Sequence, residues 1–342
     1  MVQLPEVVNL KIKECARAFV KSLDKQFASR LEKAYTVYRE QGGTGSRVRI
    51  LLDMRLAFIS QRILPLHYVT FRFYEKSTRE RSAYISGRDE NRLYFGRSKS
   101  DFPAGKYERY LLLKPFFQRE IQVLQPREED QEIYDDFCSR HETFVVKPVI
   151  GKKGQGVAKL QAADVQNVTD LEPYSDGGCL LEEAIRQGEE LAKFHPSSIN
   201  TVRFATAMSA DGKFTPLFAL FRTGRGGSVV DNVGSGGLIS LIDIRSGTIA
   251  TDGLHNRKYF TEHPDTGVTF KDARIPCWEE LCLLVQQMHA VIPDQRLVGW
   301  DFAWTADGHW DLVEANPRPS FVSYQTLADK GIRPLLREAG IL

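Results

Sequence analysis

Apolar residues along the first third of the chain recur at steps of three and four. Ala16, Phe19, Val20 and Leu23 form one series, and Phe27, Leu31, Ala34 and Tyr35 continue it, the spacing of a helix with one buried face. Gly42-Gly43-Thr44-Gly45 interrupts the pattern, and a second helix is predicted from Val48 to Leu64, stopping before Pro65. The two are expected to pair antiparallel within a helical N-terminal region, residues 1–95. Residues 66–100 are mixed in pattern and rich in arginine (Arg72, Arg79, Arg81, Arg88, Arg92, Arg97). They read as a solvated, partly extended surface, or else as a docking face for an anionic substrate or partner.

The character changes near Phe102. Strand-like runs follow at Phe144–Val149, Val157–Leu160, Leu180–Glu183, Thr201–Ala207, Phe214–Arg222 and Leu238–Asp243, with a clear helical stretch at Trp278–Ala290. Strands outnumber helices and their links look like hairpins, which predicts an α+β fold with antiparallel sheets. Two subdomains are expected here, residues 96–190 and 191–342.

Composition narrows the function class without naming it. The 342 residues are 42% hydrophobic and 26% charged, with a formal net charge of +2. That balance argues against a protein that wraps nucleic acid, but not against a local polyphosphate pocket. Five scattered cysteines (Cys15, Cys138, Cys179, Cys277, Cys282) form no CxxC pair, so neither a disulfide framework nor a thiolate zinc site is expected. No signal peptide or run of eighteen apolar residues is read, and the expected location is cytoplasmic, without membrane insertion.

The most informative segment runs from Gly299-Trp-Asp301 through Asp307-Gly308 to Val313-Glu-Ala-Asn-Pro-Arg-Pro319. Asp307-Gly308 signals a two-residue hairpin turn. Strand alternation then sets Asp301 opposite Glu314 and Gly299 opposite Asn316, on one face. Two carboxylates this close in an apolar hairpin need a cation or a shared proton. With the Asn316 amide they form the hard oxygen donor set that magnesium takes, substrate phosphates completing the shell.

Phe144-Val-Val-Lys-Pro-Val-Ile-Gly-Lys-Lys-Gly-Gln-Gly156 is a strand running into a loop of three glycines and two lysines. Such a loop aims backbone N–H groups at phosphates. Lys147 sits inside the apolar strand and should meet a standing anion. Neither the Walker nor the Rossmann spacing is present. Cys179-Leu-Leu-Glu-Glu-Ala-Ile185 reads as a strand ending in a hinge for an adenine edge, with Glu190 or its neighbour Glu189 accepting from ribose hydroxyls. In His195-Pro-Ser-Ser-Ile-Asn-Thr-Val-Arg203, Asn200 stands at a strand entrance and Arg203 within the strand, where it wants a phosphate or carboxylate. Arg222, Arg225, Lys258 and Arg318 are candidate clamps for a substrate carboxylate.

These pieces, in this order, resemble the ATP-grasp superfamily, and more narrowly the sugar-transfer-associated ATP-grasp or α-L-glutamate ligase-like proteins. The carrying residues are Lys106 in Gly-Lys-Tyr-Glu-Arg-Tyr, Val145-Val-Lys-Pro148 with its glycine loop, Leu180-Leu-Glu-Glu183 and Ser198-Ile-Asn-Thr-Val-Arg203. Asn232 with Gly236-Gly237, His263-Pro-Asp-Thr-Gly267, Gly299-Trp-Asp301 and Val313-Glu-Ala-Asn-Pro317 complete the set. The likeness spans roughly residues 100–320 and implies two α+β subdomains gripping ATP behind a helical N-terminal region. Residues 96–190 would then be the small subdomain and 191–342 the large one with the metal site.

By the same resemblance Lys106 and Lys147 would hold phosphates under the loop containing Gly154, Gln155 and Gly156, with Lys99 or Lys114 as substitutes for Lys106. Glu182, Glu183, Ala184 and Ile185 would form the adenine hinge. Asp301, Glu314 and Asn316 would bind two magnesium ions, with Arg203, Asn200 and Arg318 as the catalytic set. The implied activity is ligation of a small-molecule carboxylate to an amine through an acyl phosphate. A kinase of the same fold using Asp243 or Asp231 as base, or a nucleotide-binding protein without catalysis, remains an alternative, and a homodimer is allowed.

Overall fold

The structure, a computed structural model, describes residues 21, 23–95, 102–103, 105–150, 156–227 and 236–342. It divides into two compact units, Met1–Ser98 with Ser320–Leu342, and Lys99–Pro319. The Ala16–Val20 part of the first helical series lies outside the described residues.

In the first unit the two expected helices are α1, Lys25–Glu40, and α2, Arg47–Gln61. Asp24 and Ser46 cap them, each side chain accepting a backbone N–H of the first turn. Phe27, Leu31, Ala34 and Tyr38 of α1 and Ile50, Met54, Ala57 and Phe58 of α2 share one core. The glycine break is sterically required at Gly43, where a Cβ would enter the Tyr38 ring.

The arginine-rich stretch is not extended. It folds into short helices at Pro65–Thr70, Thr78–Ser82 and Gly87–Phe95 around buried Tyr68, Phe71, Phe73 and Tyr84. These aromatics lie too irregularly in sequence to show a period. A second correction concerns residues 320–342, placed above in the larger subdomain. They belong to this unit, because buried Gln325 accepts from Ile85 N at 2.8 Å and donates to Ile85 O at 3.1 Å.

The second unit holds two antiparallel sheets. The small sheet comprises β1 (Ile121–Leu124), β2 (Thr143–Pro148), β3 (Ala158–Gln161) and β4 (Cys179–Glu183), in the order β1-β4-β2-β3. The large sheet begins with β5 (Thr201–Met208), β6 (Phe214–Thr223), β7 (Leu238–Asp243), β8 (Thr248–Ile249) and β9 (Gly253–His255). Next come β10 (Lys258–Phe260), β11 (Leu297–Trp304) and β12 (Trp310–Asn316), in the order β10-β9-β7-β6-β5-β11-β12 with β8 beside β7. All six strands expected between Phe144 and Asp243 are present. A helix at Trp278–Val291 buries Trp278, Leu281, Val285 and Met288 against Phe204, Val298 and Trp300.

The β11–β12 hairpin reaches the expected register by an unexpected route. Its turn is not the two residues Asp307-Gly308. Thr305 N donates to His309 O at 3.0 Å and Gly308 N to Thr305 O at 3.1 Å, leaving a three-residue loop. Trp304 then pairs with Trp310 and Phe302 with Leu312, one position off the two-residue register. A bulge at Val313 supplies the missing residue, and beyond it Asp301 faces Glu314 and Gly299 faces Asn316. Gly308 has φ +76° and open space where a Cβ would stand. Gly308→Ala should therefore lower unfolding stability by about 1–2 kcal/mol through backbone strain alone, and Gly308→Asn by less. Chemical denaturation of the two variants checks the order.

Candidate functional site

Strands β5, β11 and β12 lie side by side, so Arg203, Asp301 and Glu314 occupy one cross-strand row. Arg203 donates Nε and Nη2 to the two Asp301 carboxylate oxygens at 2.7 and 2.6 Å, and Arg222 Nη1 adds a bond of 3.2 Å. Burial would raise the Asp301 carboxyl, but Arg203 and then Arg222 outweigh it and hold the group below the usual range. The repulsion expected between Asp301 and Glu314 is thus relieved by two guanidinium groups of the chain itself.

Asn316 donates Nδ2 to Asp301 at 3.3 Å, which leaves its amide oxygen for another partner. Among the described residues no hydrogen bond or ion pair takes up the Glu314 carboxylate. Gly299 lets the chain exit pass close by, since a Cβ there would lie 3.0 Å from Pro319 Cα. Arg318, on that exit, is exposed.

A cluster of cations faces this row. Lys106 opens the helix Lys106–Leu113 and donates to Pro148 O at 3.3 Å. Burial pushes its ammonium below the ordinary value; Glu314 opposes that shift, and Lys147 adds to it. Lys147, on β2, does meet a standing anion, and the anion is Glu182, 2.7 Å away. Gly156 has φ +73°, and a Cβ there would crowd the Pro148 ring at 3.1 Å. Gly154 and Gln155 lie outside the described residues.

Glu182 belongs to a larger buried group. Arg119 donates Nη2 to Glu182 at 2.7 Å, Nη1 to Asp311 at 2.8 Å and Nη1 to Leu312 O at 2.6 Å. Gln118 N caps the other Asp311 oxygen at 2.9 Å. Arg119 therefore ties β4 of the small sheet to β12 of the large one. Sequence reading missed it, because its partners lie 63 and 192 positions away and no local pattern marks it. Burial alone would raise the Glu182 carboxyl, yet Lys147 and Arg119 hold it at about 2.

β4 ends at Glu183, which pairs with Phe144 of β2. Glu183 also bonds Glu120, through its backbone N at 2.9 Å and its side chain at 3.2 Å. Among the described residues no hydrogen bond takes up the backbone of Ala184 or Ile185, which leaves a donor and an acceptor for a planar ligand edge. Further on, Ala306 N donates to Arg186 O at 2.7 Å and Gly188 N to Trp304 O at 2.9 Å, fastening the hinge to the hairpin tip. Glu189 and Glu190 are both exposed, and Glu190 accepts from Trp304 Nε1 at 2.8 Å.

Asn200 corrects its assignment to the catalytic set. It is wholly buried, and its Nδ2 bonds Leu191 O at 2.7 Å and His195 O at 3.0 Å. With both donors spent on backbone it shapes the entry to β5 and offers nothing to a substrate.

The residues fit magnesium in part. Glu314 and the Asn316 amide oxygen present hard donors, and Asp301 joins them by sharing its oxygens with Arg203 and Arg222. Among the described residues no group of three or more His, Cys, Asp or Glu forms a self-sufficient cage.

The Arg119 tie generates a stability test. Arg119→Met leaves Glu182 with Lys147 alone and Asp311 with no cation, only the Gln118 N–H, and should cost about 3–5 kcal/mol at neutral pH. The wild-type contribution from the depressed Glu182 carboxyl is complete above its ordinary value of 4.5 and is lost as pH falls towards about 2. In the variant these carboxyls take up protons more readily, so the stability gap should narrow as pH falls from 7 to 4.5. Denaturant unfolding at both values measures it.

Comparison with known proteins now adds a family. The family model for sugar-transfer associated ATP-grasp proteins matches residues 169–340, a stretch that begins after Lys106, Lys147 and the glycine loop. Among solved structures, the ATP-grasp ligase PsnB complexed with minimal precursor, Mg and ADP is 16% identical at a TM-score of 0.41, over 68% of this chain and 57% of that one. N5-carboxyaminoimidazole synthetase from Staphylococcus aureus complexed with ADP is 13% identical at 0.45, over 69% and 51%. D-alanyl-alanine synthetase A from Vibrio cholerae is 13% identical at 0.39, over 68% and 58%. The chain thus spans little more than half the length of these proteins. No curated protein matches it. With the family model covering half its length, the chain belongs to the sugar-transfer-associated ATP-grasp family and has the ATP-grasp fold behind a helical N-terminal region.

Proposed function

We propose that this chain is an ATP- and magnesium-dependent carboxylate–amine ligase. One observation carries the reading: Asp301, Glu314 and Asn316 gather on one face of the β11–β12 hairpin beside Arg203 and Arg222. Lys106, which donates to Pro148 O at 3.3 Å next to Lys147, adds cations for a polyphosphate to these oxygens for its metal.

In this reading Lys106 and Lys147 bind phosphate oxygens, and Lys147 exchanges part of its contact with Glu182 for the incoming anion. The backbone of Ala184 and Ile185 pairs with the adenine edge, and Glu189, instead of Glu190, faces ribose. Glu314, Asn316 and Asp301 hold magnesium, which when bound neutralises charge on the phosphate oxygens. Arg203 and Arg222, beside Asp301, steady the negative charge that spreads during transfer. Carboxylate oxygen attacks the γ-phosphorus and ADP leaves; an amine then attacks the acyl carbon of the resulting acyl phosphate, releasing phosphate and a proton. No residue need act as covalent nucleophile. Of the two bases a hydroxyl-directed kinase could use, Asp243 is exposed and its carboxylate bonds Arg245 N at 2.9 Å to close a turn, and Asp231 lies outside the described residues.

The test supplies ATP, magnesium, hydroxylamine and a pool of amino acids and small carboxylates, and follows ADP, phosphate and hydroxamate together. Hydroxamate in equal amount to ADP and phosphate is the expected result. ADP with a phosphorylated hydroxyl product, and no hydroxamate, overturns it. Glu314→Gln should lower turnover by about 10²-fold or more with unchanged melting temperature, the scale seen when one charge-stabilising group is removed. Lys147→Met should weaken ATP binding by about tenfold or more, the loss of one charge-assisted contact, as titration calorimetry would report.

A further inference from the structure

We propose that the outward face of α2 docks this protein on a membrane surface rich in anionic lipid. On its inner face α2 buries Ile50, Met54, Ala57 and Phe58. On the opposite face Val48, Leu52 and Leu56 are 70%, 55% and 62% exposed. They are spaced by four and form one line along the helix, and at about 100° per residue Ile59 falls within the same stripe. Arg49 flanks the stripe on one side, and Arg55 and Arg62 flank it on the other. The helix is therefore apolar on two sides, only one of which its own core uses. Leu64 and Leu66, 39% and 43% exposed, continue the apolar surface just beyond its end. Single exposed leucines are ordinary, whereas an ordered row bordered by arginines marks a contact surface.

Charge selects the partner. The unit built from Met1–Ser98 and Ser320–Leu342 holds 22 Lys and Arg against 12 Asp and Glu, a formal +10, whereas Lys99–Pro319 holds 24 against 32, a formal −8. The near-neutral whole conceals two opposed halves. Asp53, the one acid at the stripe's edge, is neutralised by a bidentate pair with Arg81 at 2.7 Å. Arg49 and Arg55 have no ion-pair partner among the described residues. Beside α2 a shallow groove adds Ser77 and Thr78 to this surface, while Lys76 in the same groove is paired with Asp329 at 2.7 Å.

Apolar side chains entering the headgroup boundary, with arginine stems lying along it and their heads in the phosphate layer, is the physics of an interfacial helix. A nucleic acid would use the charge but leave the Val48–Leu52–Leu56 row unmatched. A second copy of the chain would set +10 against +10. No helix of the described residues is long and apolar enough to cross a membrane, so the contact proposed is peripheral.

Sedimentation of the full chain with phosphatidylglycerol-containing vesicles and with pure phosphatidylcholine vesicles tests the proposal. Partition should be about tenfold or more stronger on the anionic vesicles and should weaken as salt rises. Leu52→Glu with Leu56→Glu should reduce it about tenfold or more, at unchanged circular dichroism and melting temperature. Arg49→Gln with Arg55→Gln should reduce it several-fold and flatten its salt dependence. Failure to sediment with anionic vesicles overturns the proposal. So does binding that the leucine variant leaves intact, or a dimer in sedimentation equilibrium that Leu52→Glu abolishes.

Discussion

Glu182 sits with almost no solvent around it, near the end of a strand, between a buried arginine and a half-buried lysine. Removing such groups from water costs several kcal/mol per ion, and only good geometry with every lone pair engaged returns it. Here three donors converge on one Glu182 oxygen, Oε2. Arg119 spends its donors on Glu182, Asp311 and the Leu312 carbonyl, and Lys147 takes the same Glu182 oxygen from the other side. The cluster ties the two sheets of the second unit at the place where the hinge begins. Lys147, the start of the segment after β4, and β12 are all held by it.

Much of this arrangement is legible in sequence where the signal is periodic or local. The β11–β12 hairpin shows how a correct pairing can rest on an incomplete reason. Asp307-Gly308 announces a turn, but the loop holds three residues, and the Val313 bulge returns Asp301 to Glu314. Two one-residue departures cancel, and neither has a marker of its own. Lys147 illustrates the opposite case. An ammonium in an apolar strand demands an anion on energetic grounds alone, and Glu182 supplies it.

What escaped sequence reading is long-range. Arg119 looks like any surface arginine until three distant partners surround it. Gln325 joins the C-terminal segment to the first unit by a pair of hydrogen bonds to Ile85, 240 positions earlier, and nothing near it in sequence foretells that. The arginine-rich stretch after Pro65 misled because its short helices are held by aromatic packing instead of a repeated apolar period. Asn200 misled differently. A polar residue beside a reactive-looking arginine invites a chemical role, yet its amide closes the backbone of its own loop.

The site residues share one device, an internal counter-ion already in place. Arg203 and Arg222 pair with Asp301, and Glu182 pairs with Lys147; under the function we propose, a metal and a phosphate would compete for those contacts. Ligand binding at such a site is an exchange of partners, so its net strength is a difference between two good contacts. That limits affinity but fixes geometry in advance, and groups fixed in advance stabilise developing charge without reorganising when it appears. The same division runs through the whole chain. The second unit buries ion pairs at Arg119, Lys147 and Asp301, whereas the first unit carries a formal excess of +10, part of it arrayed along an exposed apolar row. One unit spends its electrostatics on holding a site in shape, and the other directs them outward, which is the distribution expected when chemistry and location are handled by different parts of one chain.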